Sequence, residues 1–275
     1  MNGFKSTYRR LMVIHTDKTS EVLSSPRSAK ARVLIISGCY KTYQEFCNIT
    51  YARFHEYADY HNYTFRGHRK VTRQDGRYWW QKMFVIQKVL KDEADKFDII
   101  VWIDADGYIG TLSIPIENFF ALVDCQTHII LSRDVDSNNP SMLVNTGIFL
   151  LRVGPIGVQF IDHVISLYAA VPHFQSHVFY EQSATILAVY EKFANFTSLL
   201  PLCVLQFFWN DGYQMWLKGG FLLHLVNQAN QKRLSRLHTI RSQTEEKWQA
   251  EFAQNPKSID LCFNEYSSRE LGIKL

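Results

Sequence analysis

From Arg32 onward, short continuous apolar runs alternate with stretches whose apolar positions recur every three or four residues. The run RVLIISG, closing on Ser37 and Gly38, predicts a buried first strand that opens into a phosphate- or nucleotide-facing turn. Phe46, Ile49, Tyr51, Phe54, Tyr57 and Ala58 then recur at helical spacing, predicting a helix from about Thr42 to Tyr60 with its aromatic stripe in the core. Tyr63 to Phe65 reads as a second strand. The loop GHRKVTRQDGR follows, its cations Arg66, Arg69, Lys70 and Arg73 forming a solvated face unless a phosphate site lies near. Tyr78 to Lys91 predicts a helix with Met83, Ile86, Val89 and Leu90 on one side and Trp80, Phe84, Gln87 and Lys91 on another.

The next strand lies in Asp98 to Gly110, DIIVWIDADGYIG. Beyond it come a short helix over Ile116 to Leu122, a strand in HIILSRD, and a polar loop leading into the strand LVNTGIFLLRVG. Gly154-Pro155 breaks the chain ahead of the helix VQFIDHVISLYAAV, and YEQSATILAVYEKF predicts another. PLCVLQFFWND is apolar with a polar end, GGFLLHLV is a Gly-led strand bearing His224, and Gln243 to Gln254 form a last amphipathic helix. Strand, helix, strand order of this kind predicts an α/β fold with a parallel sheet. One domain over residues 31–254 accounts for the pattern, with a polar arm at 1–30 and a tail at 255–275. There is no internal repeat.

Composition narrows the functional classes. The 275 residues are 47% hydrophobic and 20% charged, ordinary for a globular protein with a sizeable core. A formal net charge of +4 argues against a nucleic-acid partner and suits a small anionic substrate. The five cysteines, at 39, 47, 125, 203 and 262, form no C-x-x-C pair, which favours reduced thiols over a disulfide framework or a zinc site. Neither a signal peptide nor a membrane anchor is visible, and cytoplasmic and Golgi-luminal settings both stay open. Asn-x-Thr sequons at Asn48, Asn62 and Asn195 point only weakly to a secretory route.

The chemistry concentrates in DIIVWIDADGYIG. A strand ending in Asp104 and Asp106 holds two hard oxygen ligands at its carboxyl end, suited to Mg²⁺ or Mn²⁺ with a substrate phosphate completing the shell. The same residues also fit a plain turn, since Asp and Gly commonly stop strands. A phosphatase of the haloacid-dehalogenase type carries a similar Asp-x-Asp nucleophile motif, but here Tyr108 fills the fifth position and no GDxxxD-type acid pair follows.

Six segments in order resemble glycosyltransferase family 34, the galactosyl-, mannosyl- and xylosyltransferase-like group, over about residues 32 to 228. YADYHNYTF is similar to that family's Tyr-x-x-x-His-Gly-Tyr segment, with Asn62 in place of Gly, and WWQKMFVIQKVL to its Trp-x-Lys helix through Trp80 and Lys82. VWIDADGYI resembles its DxD strand, VNTGIFLLR its Asn-x-Gly strand, EQSA its Asp-Gln-x-Ala helix start, and GGFLLHLVN its Gly-Asp-Phe-x-x-His strand. The resemblance implies a GT-A fold, Rossmann-like, with a mixed, mainly parallel sheet flanked by helices. It implies a metal-dependent transferase that moves a hexose or pentose from a UDP- or GDP-sugar to a glycan, retaining the anomeric configuration. A non-catalytic sugar-nucleotide or glycan-binding relative is the second reading.

What the resemblance implies for individual residues follows the same order. Asp106 and His224 would hold the ion, with Asp104 either a direct ligand as well or a contact to the ribose. Lys82 would lie near the phosphates or pair with one of the acids, and Ser37 would face the nucleotide. Asn145 and Gly147 would shape the sugar pocket, and Glu181 and Gln182 would lie under the anomeric carbon, with retention reached either by front-face transfer or by a double displacement in which Glu181 is the nucleophile. Glu181 stands where the family has Asp, and Gly220 where Asp is common. Leu225-Val226-Asn227-Gln228 lacks the family's Gly and basic residue, for which Lys232 or Arg233 are substitutes further on. Trp209, Tyr213 and Trp216 are candidates to stack on an acceptor sugar, or else core.

Overall fold

In chain order the computed structural model begins with β1 (Val33–Gly38), α1 (Gln44–His61), β2 (Thr64–His68), α2 (Gln81–Asp92), β3 (Ile99–Ile103), β4 (Gly107–Ile109) and α3 (Glu117–Ala121). It continues through β5 (Ile129–Arg133), β6 (Val144–Arg152), α4 (Pro155–Ala170), α5 (Pro172–Ser176) and α6 (Tyr180–Ala188). The last elements are β7 (Thr197–Leu200), α7 (Leu202–Leu205), β8 (Gln206–Phe208), β9 (Leu222–His224) and α8 (Asn230–Glu251). Residues 30–40, 44–73, 77–134, 143–176, 180–209, 216, 220–226 and 229–251 are described. The polar arm up to residue 29, the tail from 255, Tyr213 and Cys262 lie outside them.

The main sheet runs β2-β1-β3-β6-β5-β7, and β6 alone is antiparallel to its neighbours. The strands read as nearly continuous apolar runs because both faces are covered. Side chains alternate between two cores. Val33, Ile35, Val101, Ile103, Ile148 and Leu150 pack with the aromatic stripe of α1, whereas Leu34, Ile36, Ile100, Trp102, Phe149 and Leu151 pack with α2 and α4. The α/β architecture with a mixed, mainly parallel sheet and flanking helices is therefore as the sequence pattern predicts.

The chain moves from β1 outward to β2, then returns across β1 to β3. That reversal opens a crevice at the carboxyl ends of β1 and β3, where open α/β sheets bind ligands. A second sheet, β4-β9-β8, stands beside it. Its register sets His224 directly opposite Gly107, which is how residues 118 apart in sequence meet next to the two acids.

Several expectations need correction. Cys39 and Cys47 form a disulfide, Cys203 is also disulfide-bonded, and Cys125 is a free, exposed thiol. A spacing of eight carries no motif, but the connection from β1 to α1 folds the first turn of the helix back onto the strand end. Such bonds persist in oxidising compartments. β2 begins at Thr64 and runs to His68, beyond Phe65, because each of its five residues pairs with β1. Trp80 and Phe84 are buried like Met83 and Ile86, since Tyr168 of α4 packs against both. α6 ends at Ala188 and passes into a π-helical turn over Val189–Phe193. α8 starts well before Gln243, anchored by fully buried Leu237 and Ile240. Trp216 is fully buried core, and Trp209 packs on the same cluster.

Candidate active site

The Asp104-Ala105-Asp106 turn is clamped from both sides by backbone. Asp104 N donates to Gly147 O at 2.7 Å, Gly107 N closes the turn on Asp104 O at 2.9 Å, and Leu225 N donates to Asp106 O at 3.0 Å. The turn thus joins the two sheets and presents its carboxylates toward β9. His224 Nε2 lies 3.2 Å from Asp106 Oδ1, and one donor atom from each of Asp104, Asp106 and His224 lies within 4.8 Å of the others.

The donor set fits a divalent cation. Two carboxylates and an imidazole are the oxygen and nitrogen ligands that Mn²⁺ accepts, and Mg²⁺ with more reluctance for the nitrogen. Gln206 Oε1 lies 2.8 Å from His224 Nδ1, so Nδ1 donates there and Nε2 is the ring atom left to face Asp106. Two lone-pair-bearing atoms so close require a proton or a cation between them. Asp106 also meets Arg233 of α8, with Nη2 at 3.0 Å from Oδ2. Burial alone would raise the Asp106 carboxyl, but His224 and Arg233 outweigh it and hold it well below the usual range. Of the two basic candidates after His224, Arg233 reaches the site and Lys232 is exposed.

A second cluster lies on the other side of Asp104. Lys82, on the first turn of α2 and 5% exposed, places Nζ 2.9 Å from Glu181 Oε1, 3.1 Å from Asp104 Oδ1 and 3.1 Å from Thr146 O. Burial pulls the ammonium toward neutrality, yet Asp104 and Glu181 more than compensate and Lys82 stays charged. Burial pushes the Glu181 carboxyl up, against the pull of Lys82. Thr146 ties the group together: its Oγ1 donates to Glu181 Oε1 at 3.1 Å and its N to Gln182 Oε1 at 3.2 Å. Trp102 Nε1 donates to Asp104 Oδ1 at 2.6 Å.

Asn145 braces this end of β6, accepting from Gly147 N at 2.9 Å and donating to Asp134 Oδ2 at 3.2 Å. Gly147 is in tight contact with the imidazole of His224. At Gly220, a Cβ would stand 2.4 Å from the ring of Phe207, so packing excludes a side chain there. Ser37, fully buried on β1, stands apart from this network.

Eight of the nine site residues read from sequence, Lys82, Asp104, Asp106, Asn145, Gly147, Glu181, Gln182 and His224, are thus linked through shared contacts, with Ser37 outside them. Sequence reasoning missed Trp102, Thr146, Asp134 and Gln206. Trp102 was signalled by its position two residues before Asp104 on one strand face, and Thr146 by its place between Asn145 and Gly147. Gln206 and Asp134 carry no local signal.

No family model matches the chain, and a search of curated proteins finds no match. Solved structures do share its architecture. A glycosyltransferase involved in glycosylating the major capsid of PBCV-1 superposes with a TM-score of 0.62 at 18% identity, covering 76% of this chain and 99% of that one. The galactosyltransferase LgtC, solved with donor and acceptor sugar analogues, gives 0.50 at 9% identity over 80% of this chain and 100% of its own. The chain has the GT-A fold. The bifunctional glycosyltransferase WbbM gives 0.52 at 10% identity, with 86% of this chain matched and 52% of that protein. In this GT-A frame the Asp104-Asp106 turn lies at the carboxyl end of β3, in the ligand-binding crevice.

Proposed function

We propose that the protein is a metal-dependent glycosyltransferase that moves a sugar from a UDP- or GDP-sugar to a glycan acceptor, with retention at the anomeric carbon. The observation that carries this reading is the convergence of Asp104, Asp106 and His224 beside the Lys82–Glu181 pair, at the crevice of a GT-A fold. Asp104, Asp106 and His224 hold Mn²⁺ or Mg²⁺, which when bound neutralises the charge developing on the departing diphosphate.

The chain's own residues do the rest. Lys82 bridges the Asp104 and Glu181 carboxylates and keeps positive charge next to the diphosphate. Glu181, its Oε1 committed to Lys82 and Thr146, stabilises positive charge at the anomeric carbon, with Gln182 beside it. Retention then follows from front-face transfer, in which the leaving phosphate oxygen takes the acceptor's proton as the new glycosidic bond forms.

The test is incubation with Mn²⁺ and a panel of UDP- and GDP-sugars, following release of free sugar and nucleotide diphosphate. Metal-dependent hydrolysis that disappears in Asp106→Ala supports the proposal. Metal-dependent nucleotide binding without turnover assigns the chain to the non-catalytic reading, and no response to any nucleotide overturns both.

A further inference from the structure

Three consecutive aromatics precede Lys82, and the 3₁₀ turn that carries them sends each in a different direction. Tyr78 stacks near Tyr40 at 5.9 Å, toward the carboxyl end of β1. Trp80 is fully buried and donates its indole N–H to Phe174 O at 3.2 Å. Trp79 is 48% exposed, although it is the side chain most costly to leave in water.

Trp79 does not simply project into solvent. Its ring lies on Tyr180 with centroids 4.0 Å apart and planes 7° from parallel. Aromatic pairs left to themselves favour offset or edge-on geometry, so a close parallel stack needs support. Tyr180 supplies it at a cost: its φ is 41°, a left-handed conformation that strains a residue with a bulky side chain. The ring of Tyr180 is also wedged against the apolar core. One face of the indole is therefore fixed from behind, while about half of the residue stays accessible.

The position of this platform decides what it is for. Tyr180 immediately precedes Glu181, and Trp79 lies one turn before Lys82, the two residues whose side chains meet at 2.9 Å. Single exposed apolar residues elsewhere need no explanation. Tyr60, for example, packs edge-on against His61 at the end of α1, away from the site. A flat, rigid aromatic face next to a sugar-transfer centre matches the apolar C–H face of a pyranose ring.

We infer that Trp79, backed by Tyr180, is the stacking platform for the acceptor sugar. The inference rests on the transferase reading above and names where the acceptor docks: on the Glu181 side of the site. Trp216, an acceptor candidate by sequence, is sealed in the core instead.

The test is ¹⁹F NMR of the full chain labelled with 5-fluorotryptophan, titrated with the methyl glycosides of glucose, galactose and mannose, without metal or nucleotide. The Trp79 resonance, assigned with Trp79→Phe, is expected to shift saturably with at least one glycoside, while the resonances of buried Trp80 and Trp216 stay still. Trp79→Ala should weaken that glycoside about tenfold, the loss expected for one aromatic stack, with Trp79→Phe falling between. Native resonances of Trp80 and Trp216 in the Ala variant certify its fold. An unmoved Trp79 resonance with all three glycosides, or unchanged affinity in Trp79→Ala, overturns the platform. Donor hydrolysis by the wild type is measured separately: its presence with a silent Trp79 sinks the platform alone, and its absence sinks the transferase reading.

Discussion

Gly147 and His224 touch so closely that a Cβ on the glycine would stand 2.0 Å from the imidazole Cε1 and 2.6 Å from Nδ1. The same glycine gives its carbonyl to Asp104 N, so one backbone unit of β6 positions both an acid and the imidazole. Alanine at this position must push His224 away from Asp106 or shift the strand. Gly147→Ala is expected to cost about 1–3 kcal/mol of stability, the usual range for overpacking. Calorimetric Mn²⁺ titration should show weaker binding, and unchanged metal affinity would mean that His224 is not a ligand.

Gln206 holds the other side of the same ring. Replacing it with leucine keeps the volume roughly constant but removes the acceptor that fixes the Nδ1–H tautomer. Gln206→Leu should lower Mn²⁺ affinity about 10–100-fold, the common effect of losing a group that orients a ligand. ¹⁵N chemical shifts of the His224 ring report the tautomer directly, and a wild-type ring whose Nδ1 carries no proton would contradict this account.

The central strands and the acid pair were legible because burial on both faces leaves unbroken apolar runs, and because Asp104 and Asp106 interrupt one of them abruptly. His224 was legible only through its resemblance to a family pattern; locally it is one histidine in an apolar strand. Gln206 and Trp79 were not. Gln206 matters through the pairing of β8 with β9, and Trp79 through a stack with a residue about a hundred positions away, both products of the folded topology. The early start of α8 was hidden because Leu234, Leu237 and Ile240 are too sparse an apolar stripe among charged neighbours. The Cys39–Cys47 bond was hidden for the same kind of reason, since only the fold brings strand end and helix start together.

That disulfide closes a short loop, with a sequence separation of eight. Chain-entropy arguments give about 2–3 kcal/mol for a loop of this size. The double variant Cys39→Ser/Cys47→Ser should therefore melt roughly 5–10 °C lower than the wild type, given the usual conversion for a chain of this length. Calorimetry under non-reducing conditions reads it while leaving the bond of Cys203 intact. A melting temperature within a degree or so of wild type would show that the link adds nothing to folding.

Lys82 offers the sharpest separation of stability from chemistry. Its ammonium is nearly inaccessible and faces Asp104, Glu181 and the Thr146 carbonyl. Lys82→Met leaves Glu181 buried beside Asp104 with no cation between them, and removing one partner of a buried pair costs about 3–5 kcal/mol. In Lys82→Met/Glu181→Met both members are apolar and of similar volume, so most of that loss should return. If the Lys82–Glu181 pair as a whole were only a structural brace, the double variant would also recover donor hydrolysis. The transfer mechanism requires the opposite: stability near wild type in the double variant, with hydrolysis absent from both. Chemical denaturation and a donor-hydrolysis assay on the same preparations measure the two quantities side by side.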